Sequence, residues 1–367
     1  MSRRNMKMAD KLAPVMRKQQ KYIAQLNHSL TDIAQDSFHA AEIMKNVSTV
    51  IDEIEYDFEQ STQLRKKDVA FLFLATGLQC LRQYVIPSDA FRMTSQEGDR
   101  LMSKTVPKDW REVLCASVPY DAIRVDTDFG EMLSSGTGLG GTTHRVLTLG
   151  HDPMFGWIFG TANIMSDSLT KTDFITTYHV DNMTINGPYH GGTIGMLHDC
   201  IESVQSDKIL LPVAVLRQAI HYGSDFFTKQ GLPIPVLSSI NNTFALTLAN
   251  KFNIDTYGTL RAAGLSILIN LIISYIHTLL YDKNVDGTDS AYEVRTRKVV
   301  MYSNVIASSS NIVYTAINAF LGNAPALKKF DFGGLLVTIY RLLTDRKRIA
   351  EIKKEFLENE FYKKVNG

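Results

Sequence analysis

Apolar residues along this chain recur at helical rather than strand spacing. In "SLTDIAQDSFHAAEIMKNVSTVIDEIEYDFEQ", Ile33, Ile43, Val47, Ile51 and Ile54 share one side of a helix among Gln, Glu, Asp and Lys. This predicts a helical N-terminal arm over 1–66, packed on the main body or attached by its basic first turns to a membrane surface. "DVAFLFLATGLQCLRQYVIP", Asp68 to Pro87, is apolar almost all round and stops at a proline. It reads as a buried core helix, because Gln79 and Arg82 keep the run below membrane-spanning length. "AAGLSILINLIISYIHTLLY", Ala262 to Tyr281, is 20 residues without a charge, long enough to span a bilayer. Ser266, Asn270, Ser274, His277 and Tyr281 recur every three or four positions within it, so one side is polar. A soluble core helix and a membrane-embedded helix both fit that stripe.

The C-terminal part is again helical, through "VVMYSNVIASSSNIVYTAINAFLG" and "LLVTIYRLLTDRKRIAEIKKEFLENEFYKK". The charges of the last segment read as a solvated helix face. Strand patterns are short and few, and no internal repeat is visible. Between about 87 and 143 the chain is loop-rich. The expected fold is predominantly all-α, a multi-helix bundle with long loops around a His-rich site. Its expected parts are the arm (1–66), a helical core with a metal site (67–240), and a C-terminal helical region (241–367) open to membrane association.

Composition narrows the partners. Lys and Arg number 39 against 38 Asp and Glu, a net charge of +1, so nucleic acid is not expected. The first 22 residues are the exception, with Arg3, Arg4, Lys7, Lys11, Arg17, Lys18 and Lys21 against Asp10. They lack the apolar stretch of a signal peptide. Cys80, Cys115 and Cys200 form no CxxC pair and suit a reducing compartment. The expected location is the cytoplasm or the cytoplasmic face of an inner membrane.

Chemistry gathers around histidine. Five of nine histidines lie between His144 and His198, and His221 follows. Asp152 precedes Pro153, which makes it a natural N-cap and sets His151 at a helix mouth. In "HYGSDFFTKQGLPIP", a spacing of four stacks His221 and Asp225 on one helix face, where imidazole and carboxylate can share a divalent cation. Thr228, one turn further, is placed to steady that carboxylate. Gly231 and Pro233 then end the helix. His179, Asp181, His190, His198 and Asp199 offer further groups, of which His190 and His198 are secondary candidates. The glycine-rich "SSGTGLGGTTHR" lacks Gly-Lys-Ser/Thr and reads as a flexible loop rather than a P-loop. No Gly-x-Ser-x-Gly elbow or Rossmann fingerprint occurs.

"HYGSDFFTKQGLPIP" resembles the His-x-x-Ala/Ser-Asp-x-x-Thr-x-x-Gly-Val/Leu-Pro signature of the bacterial membrane-bound metal-dependent hydrolases. These are helical inner-membrane proteins distantly similar to zinc phospholipases C. "VPYDAI" and "THRVLTLGH" precede it in the family's order, so the resemblance covers 119–235. It implies a divalent-metal site with His144, His151, His221 and Asp225 as ligands and Asp121 as a further one. Histidine and carboxylate without thiolate suit Zn, Mn or Fe. The implied function is a metal-dependent hydrolase of a small-molecule or lipid phosphoester near a membrane. Arg145 then binds the substrate anion, and Asp152 orients a ligand or acts as general base. The alternative is a non-catalytic helical membrane-associated or interaction protein, with a pore-forming variant, whose histidines are ordinary core or loop residues.

Overall fold

The computed structural model describes residues 45–86, 90–125 and 143–366, with Leu139 and single residues between 21 and 43. The basic first turns and most of the glycine-rich loop lie outside the described residues. The principal helices are α1 (Val47–Ser61), α2 (Lys66–Tyr84), α3 (Ser95–Thr105), α4 (Thr143–Leu147), α5 (Gly156–Ser166) and α6 (Gly192–Ser206). Further on come α7 (Leu210–Phe226), α8 (Asn242–Phe252), α9 (Thr256–Leu279), α10 (Asp289–Phe320) and α11 (Phe332–Asn366). The fold is predominantly all-α.

Contacts divide the chain into two compact units, one of residues 1–70, 274–299 and 341–367 and the other of 71–273 and 300–340. In the first, Phe58, Val294 and Ile352 form an apolar cluster. Ile51, placed on the same helix side as Ile54, is exposed, and Ile54 and Phe58 are the buried residues of α1. His277 is fully buried there. Its Nε2 lies 2.9 Å from Asp68 Oδ1 and its Nδ1 2.8 Å from Thr296 Oγ1, so its place in the polar stripe of α9 is a structural one.

The second unit holds a four-stranded sheet, β1 (Arg124–Val125), β2 (Ser168–Thr170), β3 (Thr177–Asp181) and β4 (Thr184–Pro188), in the order β1-β4-β3-β2. β1 runs parallel to β4 and the other pairs are antiparallel. Asn182 and Met183 join β3 to β4 with φ of 45° and 60°, the left-handed pair that a two-residue turn matched to strand twist requires. Beneath the sheet, Val118, Tyr120, Leu147, Leu169 and Ile185 form the core.

Two glycines on one face of α5 let it lie close against α7. A Cβ on Gly156 would run into the Tyr222 hydroxyl, and one on Gly160 would sit 2.5 Å from Gln218 Oε1. Gln218 has no room to yield, because its Oε1 accepts from Tyr120 and its Nε2 donates to the Gly150 carbonyl. Alanine in a helix gains about 1 kcal/mol over glycine, and overpacking costs about 1–3 kcal/mol. Gly160→Ala is therefore expected to destabilise the protein by about 1 kcal/mol net in denaturant titration. A variant as stable as the parent would contradict this packing.

The helices of residues 71–84, 256–273, 300–320 and 332–340 expose many apolar side chains and bury polar ones beside apolar Ala75, Ile273 and Val300. Gln79, Ser266, Asn270 and Asn304 are buried. Gln79 Nε2 and Asn304 Nδ2 donate to Asn270 Oδ1 at 3.0 and 2.8 Å, and Ser266 Oγ donates to Asn304 Oδ1 at 3.1 Å. Arg82 forks onto Asp331. Outside, Phe73 is 73% exposed, Leu271 63% and Val313 54%. The expectation of a buried apolar helix over 68–87 is corrected: α2 buries Gln79 and Arg82 and exposes Phe73, Leu74 and Leu81. The buried amides and the Arg82–Asp331 pair satisfy one another there, so the polar face can turn inward at low cost.

Candidate metal centre

Four short stretches of the second unit bring five ionisable side chains together. A 3₁₀ turn over Pro119–Asp121 places Asp121, and a second over Leu149–His151 places His151. α4 carries His144, and the last turns of α7 carry His221 and Asp225. The histidines meet the carboxylates through their Nε2 atoms. Asp121 Oδ1 lies 2.8 Å from His151 Nε2 and 3.5 Å from His144 Nε2. Asp121 Oδ2 is 3.7 Å from His221 Nε2. Asp225 Oδ2 is 3.2 Å from His221 Nε2 and 3.6 Å from His151 Nε2, and those two nitrogens are 3.4 Å apart. Donor atoms bound at about 2.0–2.2 Å to one tetrahedral ion are themselves about 3.2–3.6 Å apart. Apart from the closer His151–Asp121 contact, these separations fall near that range, and Asp121, His151 and His221 form a set whose donor atoms all lie within 4.8 Å of one another.

Two observations say that this centre suits a cation. Asp225 Oδ2 is buried and accepts no well-directed hydrogen bond, although a buried carboxylate oxygen ordinarily has one. The other concerns Thr148, whose single hydroxyl proton is donated to the His144 carbonyl at 2.9 Å. Its Oγ1, 2.7 Å from His151 Nδ1, then accepts the Nδ1 proton. Neutral His151 consequently turns a bare Nε2 lone pair toward the Asp121 carboxylate, a repulsive contact that a metal ion between them relieves. A hydrogen bond on the far ring nitrogen is the usual way a ligating histidine is oriented.

Charge balance agrees. Burial, outweighing the pull of Asp121, lowers the pKa of His151 to about 4. Burial would also lower His221, but the charges of Asp225 and Asp121 prevail and raise it to about 9. Against the upward push of burial, the His221 charge and a hydrogen bond from His144 hold Asp121 well below the usual carboxylate range. The His221 charge and Arg145 do the same for Asp225. At neutral pH His221 is thus an imidazolium facing the two carboxylates, and an incoming metal displaces its proton. Calorimetry in buffers of different ionisation enthalpy should find about one proton released at pH 7, with affinity rising about tenfold per pH unit toward pH 9 and levelling above it. Affinity independent of pH would contradict this reading of His221.

Other expected roles change. Arg145, read as the substrate's anion partner, is 7% exposed and committed to the protein. Its Nη2 donates to Asp225 Oδ1 at 2.7 Å and its Nη1 to Thr228 Oγ1 at 3.0 Å and the Gly231 carbonyl at 3.3 Å. Arg145 borders the cleft beside the site, but its guanidinium is spent on these protein partners, while His144, one residue earlier, turns its Nε2 to Asp121. Thr228 does not touch the carboxylate that it was placed to steady. It lies past the end of α7, donates to the Asp225 carbonyl and holds Arg145.

Asp152 is a cap, with Oδ1 accepting from the Met154 and Phe155 amides at 2.9 Å each. Its Oδ2 accepts from the Val236 amide at 2.6 Å. With both oxygens bound to backbone, Asp152 is not placed to act as a base.

His179 stacks on Tyr189, His190 is exposed, and His198, Asp199 and Glu202 form a solvated group. None of them joins the five. Sequence reading missed Thr148 and Tyr120, which is fully buried with its ring centroid 4.9 Å from that of His151 and 5.4 Å from that of His221, edge to face with both. The one signal for Thr148 was its position three residues before His151. On its open side, where Asp121 is least buried, the centre adjoins a cleft of about 180 Å³ also lined by Ser117, Arg217 and Ser224. The chain matches no protein-family model, no curated protein and no solved structure.

Proposed function

We propose that this chain is a divalent-metal-dependent hydrolase of phosphoesters, working at the cytoplasmic face of a membrane. The observation that carries this reading is the convergence of three imidazole Nε2 atoms on the carboxylates of Asp121 and Asp225. His144, His151, His221, Asp121 and Asp225 hold Zn²⁺, Mn²⁺ or Fe²⁺, and Arg145 fixes the orientation of Asp225. A cation there supplies Lewis acidity and acidifies water at neutral pH.

The substrate enters the adjoining cleft. Arg217, about two turns before Asp225 on α7, lines that cleft, and with the Arg145 guanidinium already engaged by Asp225 it supplies positive charge for the substrate. The exposed apolar faces of α2, α9 and α10 support attachment to a membrane, and α9 is long and apolar enough to cross one.

The test is hydrolysis of bis(4-nitrophenyl) phosphate and of a short-chain phospholipid before and after chelation. Loss of turnover with the chelator and its return with one equivalent of metal support the proposal. A protein that binds no metal and cleaves neither substrate favours the non-catalytic membrane-associated reading.

A further inference from the structure

A second cavity, of about 270 Å³, lies in the same unit, and the metal-site residues do not line it. Five cationic side chains face it, Arg82, Arg92, Arg261, Lys328 and Lys329, with Asp331 as the acid among its lining residues. Arg82 pairs with Asp331, and Arg92 with Asp255 at 2.6 Å. Lys328 and Lys329 are exposed and have no ion pair among the described residues, Lys329 lying 6.0 Å over the Tyr314 ring. The first turns of α9 and α11 also border the cavity and add the positive ends of two long helices. Cations in such excess repel one another, an arrangement that an anion relieves.

The remaining walls are apolar, with Phe252, Leu265, Phe330 and Phe332 beside the charges. Leu260 and Leu268 of α9 continue that apolar character into solvent. A soluble inorganic anion has no use for such walls, whereas an amphiphile with a phosphate head and hydrocarbon tails uses both.

We propose that this cavity binds the phosphate headgroup of an anionic membrane lipid, with the acyl chains lying along the exposed faces of α9 and its neighbours. The site is separate from the metal centre and needs no turnover. It holds the protein to an anionic bilayer through a headgroup contact.

Flotation of the full-length protein on vesicles of phosphatidylglycerol mixed with phosphatidylcholine, and on phosphatidylcholine alone, tests it. Binding is expected to the anionic vesicles. Lys328→Glu with Lys329→Glu should weaken it by at least about a hundredfold, since each lysine near an anionic surface contributes about 1 kcal/mol and reversal doubles the effect. The same reversal at exposed Lys208 and Lys283, away from the cavity, should change it by no more than a few fold. Both lysines of the cavity are exposed, so the fold is retained, and Arg261→Gln gives an independent variant expected to weaken binding about tenfold. Equal flotation on phosphatidylcholine alone, or a Lys328/Lys329 variant that floats like the parent, overturns the proposal. Inorganic phosphate is the other source of the same chemistry. Phosphate binding by calorimetry that the double reversal removes, with flotation on neither vesicle, replaces the lipid with a soluble phosphate and overturns the membrane assignment.

Discussion

His221→Ala and His151→Ala should each reduce bound metal from about one ion per chain to below about a tenth, and turnover by about a thousandfold. The size follows from the centre's build. Metal Lewis acidity contributes several kcal/mol to a hydrolytic transition state, and each 1.4 kcal/mol is tenfold in rate. Removing one of the ligands, all of them buried or half-buried, leaves the others without the geometry to replace it. The fold should survive in His221→Ala, because His221 sits at the rim with its side chain 14% exposed. Elemental analysis beside circular dichroism separates metal loss from unfolding. A folded His221→Ala protein with full metal would remove this residue from the centre.

Arg145→Ala carries the second large effect. The Arg145–Asp225 pair is buried on both sides, with side chains 9% and 4% exposed. Removing one partner of such a pair costs about 3–5 kcal/mol, because the other charge stays desolvated and uncompensated. Metal affinity should fall as well, by about 10–100-fold, since Arg145 fixes the direction of Asp225 Oδ2. The double variant Arg145→Met with Asp225→Leu separates the two consequences. Replacing both charges by apolar groups is close to neutral for stability, so it should refold to nearly parental stability while still failing to bind metal. Urea titration and metal analysis of the single and double variants check this. If Arg145→Ala is as stable as the parent, the buried pair is not what anchors α7 to α4.

Local order in the chain explains what could be read without the fold. His221 and Asp225 were legible because a spacing of four on a helix fixes both on one face whatever surrounds it. The cap at Asp152 was legible for the same reason. Its second oxygen was not, because the Val236 amide that occupies it lies far along the chain. Arg145 was misread through its neighbour: adjacency to His144 suggested a shared target, but successive helical residues point about 100° apart. Convergence of Asp121 and His144 with His221 depends on how the 3₁₀ turns pack under α7, and residue spacing says nothing about that.

The helices taught a different lesson. Along 68–87 the apolar majority concealed which face would be buried, and the rare polar residues Gln79 and Arg82 were the informative ones. They pair with Asn270 and Asp331, far away in sequence. The polar stripe of α9 was visible, and its neighbours were not.

The most direct test is anomalous diffraction at the zinc, manganese and iron edges from crystals of protein purified without chelator. The account requires a single peak about 2.0–2.2 Å from Nε2 of His144, His151 and His221 and within bonding distance of an Asp121 or Asp225 oxygen. No peak at any edge, or one only at the exposed group of His198, Asp199 and Glu202, would contradict it.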